Sequence, residues 1–244
     1  METHANILGI PVPKLTMSDS VARIEQTIEQ GGQTLCHVVT LNPEIAMACQ
    51  QDRSLRAIID DADLLTADGI GIVLVSRLRG TPLPERVTGC DMLYKVLERG
   101  DEKGWSFYLL GANETTSTLA AEAIRRKYPN VAILGRHHGF FRPEEEGALV
   151  EEIGALKPDV LVVALGAPYA ERWIHKYKGG LNAKIAIGVG GSLDVVAGTV
   201  PRAPMLWRKL NLEWLFRLLN QPSRWRRQLL LPRFAWKAIV YRDQ

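Results

Sequence analysis

The chain has 244 residues, 23% charged and 46% hydrophobic, which excludes a disordered polymer and suits one α/β domain with an appendage. Its net charge of +3 conceals a division. Residues 1–200 carry twenty basic and twenty-five acidic side chains, a balance of −5, whereas residues 201–244 carry ten and two, a balance of +8, with four of the six Trp.

Asn6–Val12 reads as a short strand. Ser18–Gln30 places Val21, Ile24 and Ile28 on one helical face, with Ser18 or Asp19 as N-cap. The longest stretch without Asp, Glu, Lys or Arg, Gln30–Pro43, is 14 residues and interrupted by glycines. A spanning helix needs about 20. The N-terminus lacks the basic-then-apolar pattern of a secretion signal. Cys36, Cys49 and Cys90 are odd in number and have no metal-type spacing, which fits a reducing compartment. The protein is therefore expected in the cytoplasm.

Further along, 37–41, 64–66, 106–110, 131–134, 160–165 and 184–189 are apolar runs bounded by turn residues. They read as buried strands of a mostly parallel sheet. Thr115–Tyr128 and Pro143–Leu156 read as helices between them, the second with Pro at its first position and an acidic first turn. This alternation implies a Rossmann-like α/β fold, a sheet flanked by helices. The composition changes near residue 200. The expected division is therefore an α/β domain over 1–200 and a basic, Trp-rich helical appendage over 201–244. In that appendage Trp214, Leu215, Leu218 and Leu219 recur at helical spacing, and Pro222 ends that helix or starts the next. Arg224, Arg226, Arg227 and Arg233 then interleave with Trp225, Phe234 and Trp236.

Ligands of open α/β sheets bind beyond the carboxyl ends of the strands, so polar residues there are the first candidates. Thr40-Leu-Asn42-Pro-Glu44 offers hydrogen-bonding groups for a sugar or phosphate, or equally an N-cap at Asn42. Thr66-Ala-Asp68-Gly69 presents a carboxylate in a glycine loop, either a general base or a cap. Arg86, beside Thr88-Gly89, has the planar fork that clamps phosphate. Gly111-Ala-Asn113 and Gly188-Val-Gly190-Gly191-Ser192 are glycine turns ahead of helices. They serve a pyrophosphate or simply a tight turn, and the full dinucleotide fingerprint is missing from both. His137-His138 lacks zinc-site spacing, and Asp61-Ala-Asp63 precedes a strand instead of ending one. No metal site and no cofactor is expected.

Taken together, these segments resemble the WecG/TagA/CpsF glycosyltransferases. The resemblance rests on Thr40–Glu44, Thr66–Gly71, Pro84–Gly89, Tyr108–Gly111, His137–Phe140, Ala164–Pro168, Gly188–Ser192, Arg202–Pro204 and Leu212–Trp214, in order along nearly the whole chain. It implies a metal-independent, inverting transfer from a UDP-sugar to N-acetylglucosamine on undecaprenyl diphosphate. The donor it implies is UDP-N-acetylmannosamine, with its uronic acid or UDP-glucose as the alternatives. Asp68 then matches the base, with Thr40, Asn42 and Arg86 in the same pocket. Thr66, Gly69, Gly111, Gly166, Glu171, Gly188, Gly190, Gly191 and Ser192 become substrate-binding candidates. The appendage is expected to dock the protein peripherally on the inner face of the membrane, with Arg217, Arg224 and Arg227 toward a diphosphate. One departure stands out: the family reads Gly-x-Pro-Lys-Gln-Glu-Lys-Trp where this chain has Gly166-Ala-Pro-Tyr-Ala170-Glu171-Arg-Trp173, so a Gln has become Ala170.

Three other readings fit parts of the sequence. Basic residues interleaved with aromatics also mark nucleic-acid-binding modules, although no nucleic-acid partner is expected here. A dinucleotide oxidoreductase shares the α/β alternation but needs the missing fingerprint. The appendage could also be a docked helical hairpin or a contact between copies in a homo-oligomer.

Overall fold

The computed structural model describes residues 3–32, 34–220, 222, 225 and 229–241. The chain opens with a hairpin in which β1 (His4–Ile7) pairs antiparallel with β2 (Ile10–Pro13). The single strand expected over 6–12 is broken because Leu8 and Gly9 both adopt positive φ, 53° and 82°. That conformation makes a tight hairpin turn, and the Gly9 N–H closes it by donating to Asn6 Oδ1 at 2.7 Å. Helix α1 (Met17–Gln30) starts one residue earlier than its pattern suggests. Its cap is Thr16 instead of Ser18 or Asp19. Thr16 Oγ1 accepts from the Asp19 N–H at 3.1 Å, and the Asp19 carboxylate accepts from the Thr16 N–H at 2.9 Å.

The main sheet has six parallel strands: β3 (Cys36–Leu41), β4 (Leu64–Ala67), β5 (Ser106–Gly111), β6 (Ala132–His137), β7 (Val160–Ala164) and β8 (Ile185–Gly188). Their spatial order is β4-β3-β8-β7-β5-β6. Thr40 lies opposite Thr66, Val38 opposite Ile187, and Val163 opposite Gly188. Alternate residues feed opposite faces. Val38, Leu64, Phe107, Val160 and Ile185 pack with α1, α5 (Gly89–Lys103) and α6 (Glu114–Lys127). On the other face, Val39, Leu41 and Leu65 meet the hairpin, α2 (Pro43–Cys49), α3 (Arg53–Asp60) and α4 (Ile70–Leu78). Tyr108, Leu161 and Ala186 meet α7 (Glu146–Leu156) and α8 (Tyr169–Tyr177) on that same side. Burial on both faces explains why the strands read as unbroken apolar runs.

Short helices α9 (Ser192–Val196), α10 (Met205–Lys209) and α11 (Glu213–Asn220) follow, and α12 (Leu230–Val240) ends the described chain. The region after residue 200 is fastened to the body by ion pairs and by core packing. Arg202 pairs with Asp91 of α5 and lies over the Tyr94 ring at 4.5 Å. Phe234 of α12, 1% exposed, enters the core shared by the hairpin, α2 and α4. Arg79, at the end of α4, donates to the carbonyls of Ala238 and Tyr241 at 3.3 and 2.7 Å.

Candidate active site

A cleft of about 280 Å³ opens beyond the carboxyl ends of β3, β4 and β8. From β3 the chain turns outward to β4, whereas β8 is reached from β7 on the other side. The cleft thus lies where the connections diverge, the ordinary ligand position of such sheets. Its lining brings together Thr40, Asn42, Asp68, Gly69, Arg86, Gly166, Glu171, Gly188, Gly190, Gly191, Ser192 and Arg217. Residues 177 positions apart in sequence, Thr40 and Arg217, therefore face one cavity.

Asp68 directly follows β4. Its N–H donates to the Leu41 carbonyl at 2.8 Å, and the Val87 N–H donates to the Ala67 carbonyl, also at 2.8 Å. These bonds set the loop carrying Arg86 and Thr88 beside the carboxylate. Thr88 caps α5 through the Asp91 N–H at 3.0 Å, and the Gly89 N–H of that first turn donates to Asp68 Oδ2 at 3.2 Å. A side chain on Gly89 would stand 3.2 Å from Thr40 Oγ1, so a small residue is needed at this approach. Burial pushes the Asp68 carboxyl up to about 6, against the Gly89 N–H and the charges of Arg217 and Arg86, while Glu213 adds to the rise.

Arg86 and Arg217 share one counter-ion. Glu213, at the start of α11, accepts from Arg86 Nη2 at 3.3 Å and from Arg217 Nη2 at 2.6 Å. All three side chains line the cleft, so two fixed cations face it with one carboxylate between them. Thr40 Oγ1 donates to the Gly188 carbonyl at 3.5 Å, and the Asn42 side chain caps α2 by accepting from the Ile45 N–H at 2.9 Å. The two sequence alternatives at Asn42 are thus compatible: it caps a helix and lines the cavity.

Several expected residues lie elsewhere. Thr66 is buried inside β4 and is not part of the lining. Gly111 is also outside it. Its φ is 128°, and a Cβ there would meet the Ala164 carbonyl oxygen at 2.4 Å, so the glycine serves the close passage of β5 along β7. Arg224 and Arg227 fall outside the described residues. Asp61 and Asp63 sit at the opposite end of the sheet, where Asp63 accepts from the His37 N–H at 2.8 Å and from Lys178 at 2.9 Å. Among the described residues no group of three or more His, Cys, Asp and Glu is arranged to hold a metal.

Sequence reasoning missed Thr88, Cys90, Glu213, Trp214, Leu230 and Leu231 as lining residues. Thr88 was detectable, because Thr-x-x-Asp ahead of an apolar periodic stretch is a helix-start pattern. Cys90 follows it in the first turn of α5, and Glu213, Trp214, Leu230 and Leu231 come from elements whose position depends on packing of the segment after residue 200.

A family model described as "Glycosyl transferase WecG/TagA/CpsF family" matches residues 5–244. Curated relatives carry the name N-acetylglucosaminyldiphosphoundecaprenol N-acetyl-beta-D-mannosaminyltransferase. The chain is 39% identical to the one from Bacillus spizizenii over 204 residues, 84% of this chain and 79% of the relative. It is 36% identical to that of Bacillus subtilis over 198 residues, covering 81% and 77%. It is 33% identical to that of Staphylococcus aureus strain MRSA252 over 232 residues, covering 95% and 91%.

Proposed function

Because the chain belongs to the WecG/TagA/CpsF family, it is a glycosyltransferase, and we propose that it moves N-acetylmannosamine from UDP-N-acetylmannosamine to the 4-hydroxyl of N-acetylglucosamine on undecaprenyl diphosphate. The relatives' printed name supports the sugar and the acceptor. The observation that carries the mechanism is Asp68: a carboxylate at a strand end, in a cleft, held by one backbone N–H and flanked by two arginines.

In this reading Asp68 takes the proton of the acceptor hydroxyl as that oxygen attacks the anomeric carbon. The bond from the anomeric carbon to the diphosphate breaks on the far side, which inverts the centre. The electron pair leaves on UDP. Arg86 and Arg217 meet the diphosphate charge, displacing part of their interaction with Glu213. A base with a pKa near 6 is mostly ionised at neutral pH yet still basic enough to accept a proton in the transition state. The Gly190-Gly191 turn contributes backbone N–H groups toward the nucleotide.

The acceptor is embedded in a membrane, and α12 offers a surface for reaching it. Trp236 is 72% exposed, Ile239 and Val240 are also exposed, and Arg233 and Lys237 lie among them. Apolar and aromatic groups insert at the interface while cations meet anionic headgroups, at about 1 kcal/mol each. Among the described residues no helix is long and apolar enough to cross a membrane. The test is UDP release with a short-lipid acceptor analogue, across UDP-N-acetylmannosamine, its uronic acid and UDP-glucose. Turnover with the first supports the reading. Preference for another donor reassigns the sugar, and no turnover with any of them overturns it.

A further inference from the structure

A second opening lies along α12, an open groove of about 460 Å³. Met47 of α2 lines it together with Arg233, Trp236, Lys237 and Val240 of α12 and Tyr241 just beyond. The sequence of α12 explains this placing. Phe234, Ala238 and Tyr241 recur at helical spacing and pack into the body. Leu230, Arg233, Lys237 and Val240 form a neighbouring stripe, which begins in the cleft and continues into the groove. Helix α2 is shared in the same way: Pro43, Glu44 and Ile45 line the cleft, and Met47 lines the groove. Cleft and groove are therefore consecutive along one seam between two helices. From Leu230 to Val240 that seam runs about 15 Å, at 1.5 Å per residue.

The seam lies on the side of the cleft that holds Asp68. The Phe234 ring is 3.6 Å from where a Cβ on Gly71 would stand, so α12 rests on the start of α4, three residues after Asp68. The turn after β8 is on the far side of β3, in the order β4-β3-β8. The lining of the groove matches one kind of ligand. Trp236 and Val240 are 72% and 58% exposed, so their apolar surface is open to a partner, and two cations stand beside them. A purely polar ligand would leave that apolar surface in water, and a plain hydrocarbon would give the cations nothing. A hydrocarbon chain with phosphate at one end suits both.

Resting on the acceptor reading above, we propose that the groove between α2 and α12 seats the phosphate-bearing end of the acceptor's isoprenoid chain. The sugar sits in the cleft with its hydroxyl toward Asp68. The chain leaves along the seam, past Arg233 and Lys237, and its first isoprene units cover Met47, Trp236 and Val240. The groove is then a specificity element for the lipid itself, separate from the surface that docks on a bilayer.

The experiment uses the full chain in solution without vesicles, so that docking on a membrane plays no part. Its acceptors are N-acetylglucosamine diphosphates carrying one, two or three isoprene units. It reads kcat/KM for UDP release, with thermal melting alongside. In the wild type, kcat/KM should rise by about tenfold or more from one unit to three, because burying apolar surface favours binding. Val240→Glu, at an exposed position, and Met47→Trp, which fills the groove from the α2 side, should each cut that gain to about threefold or less. Ala235→Glu puts the same charge on an exposed position of α12 outside the groove and should keep the gain. A wild type indifferent to chain length overturns the proposal, and so does a full gain in Val240→Glu. Equal loss in Ala235→Glu also overturns it, since the effect would then be charge on the helix and not occupancy of the groove. If Met47→Trp melts lower than the wild type, Val240→Glu decides alone. Sensitivity of vesicle binding to Val240→Glu with no chain-length effect in solution assigns the groove to bulk lipid and overturns the proposal. No turnover with any acceptor means that the acceptor reading itself fails, and the groove's assignment falls with it.

Discussion

Replacing Asp68 by Asn separates chemistry from stability in one molecule. The amide keeps the shape and an acceptor for the Gly89 N–H, but it cannot take a proton. A general base contributes about 10²- to 10⁴-fold, so turnover should fall by that factor, equivalent to about 3–5 kcal/mol of barrier. Stability should move the other way. The folded-state pKa is about 6 against an ordinary 3.8, because burial disfavours the charge. Between those values the unfolded chain ionises first, the folded state holds more protons, and stability declines as pH rises, levelling off above about 6. A difference of about two units corresponds to roughly 3 kcal/mol of destabilisation at neutral pH. Asp68→Asn removes that cost and should melt higher than the wild type at pH 7, with the gap closing toward pH 4. The assays are UDP release with a short-lipid acceptor, UDP binding by calorimetry, and melting from pH 4 to 8. Turnover within threefold of the wild type would refute the base assignment. A melting temperature below the wild type at pH 7 would refute the electrostatic reasoning.

The neighbouring charges give a second, linked prediction. The acid limb of the wild-type pH–rate profile should lie near 6, move upward in Arg217→Gln and move downward in Glu213→Gln, because Arg217 favours and Glu213 disfavours the ionised base. Arg217→Gln should also weaken UDP binding. Gly111→Ala should destabilise by about 2 kcal/mol or more, read as a lower denaturant midpoint, since its Cβ would overlap the Ala164 carbonyl at a positive φ. Trp236→Ser combined with Ile239→Ser should reduce sedimentation with vesicles containing anionic lipid while leaving the melting temperature unchanged, because both side chains are exposed. Phe234→Ala, in contrast, should cost about 3–5 kcal/mol, as that ring is buried in the body's core.

Much of the fold was legible because the strands are buried on both faces, which leaves a strong and local signal in runs such as Val160–Ala164. The hairpin was misread because an Ile-Leu-Gly-Ile sequence keeps its apolar character through a turn whose backbone is left-handed at Leu8, a residue with no preference for that region. In the site, Thr40, Asn42, Asp68 and the 188–192 turn could be found from one rule, polar residues at strand ends. Thr66 fails that rule only by two residues: the chain is still inside the sheet at 66 and has left it at 68. Glu213 carried no such local mark. Its meaning comes from pairing with Arg86, 127 positions earlier, which only tertiary packing creates. The segment after residue 200 was legible as helical, but not the fact that Leu230 and Leu231 would line the cleft.

The position of β8 bears on when the enzyme comes into being. This four-residue strand lies between β3 and β7, joining the β4–β3 pair to the β7–β5–β6 group. Strand β3 therefore waits, with one edge unpaired, for residues synthesised about 150 positions later. The opposite wall of the cleft, with Glu213, Trp214, Arg217, Leu230 and Leu231, is translated later still. A ribosome-bound chain thus has Asp68 long before it has a cavity around it. The cleft is complete only once residue 231 has been made, together with the helix proposed to meet the membrane.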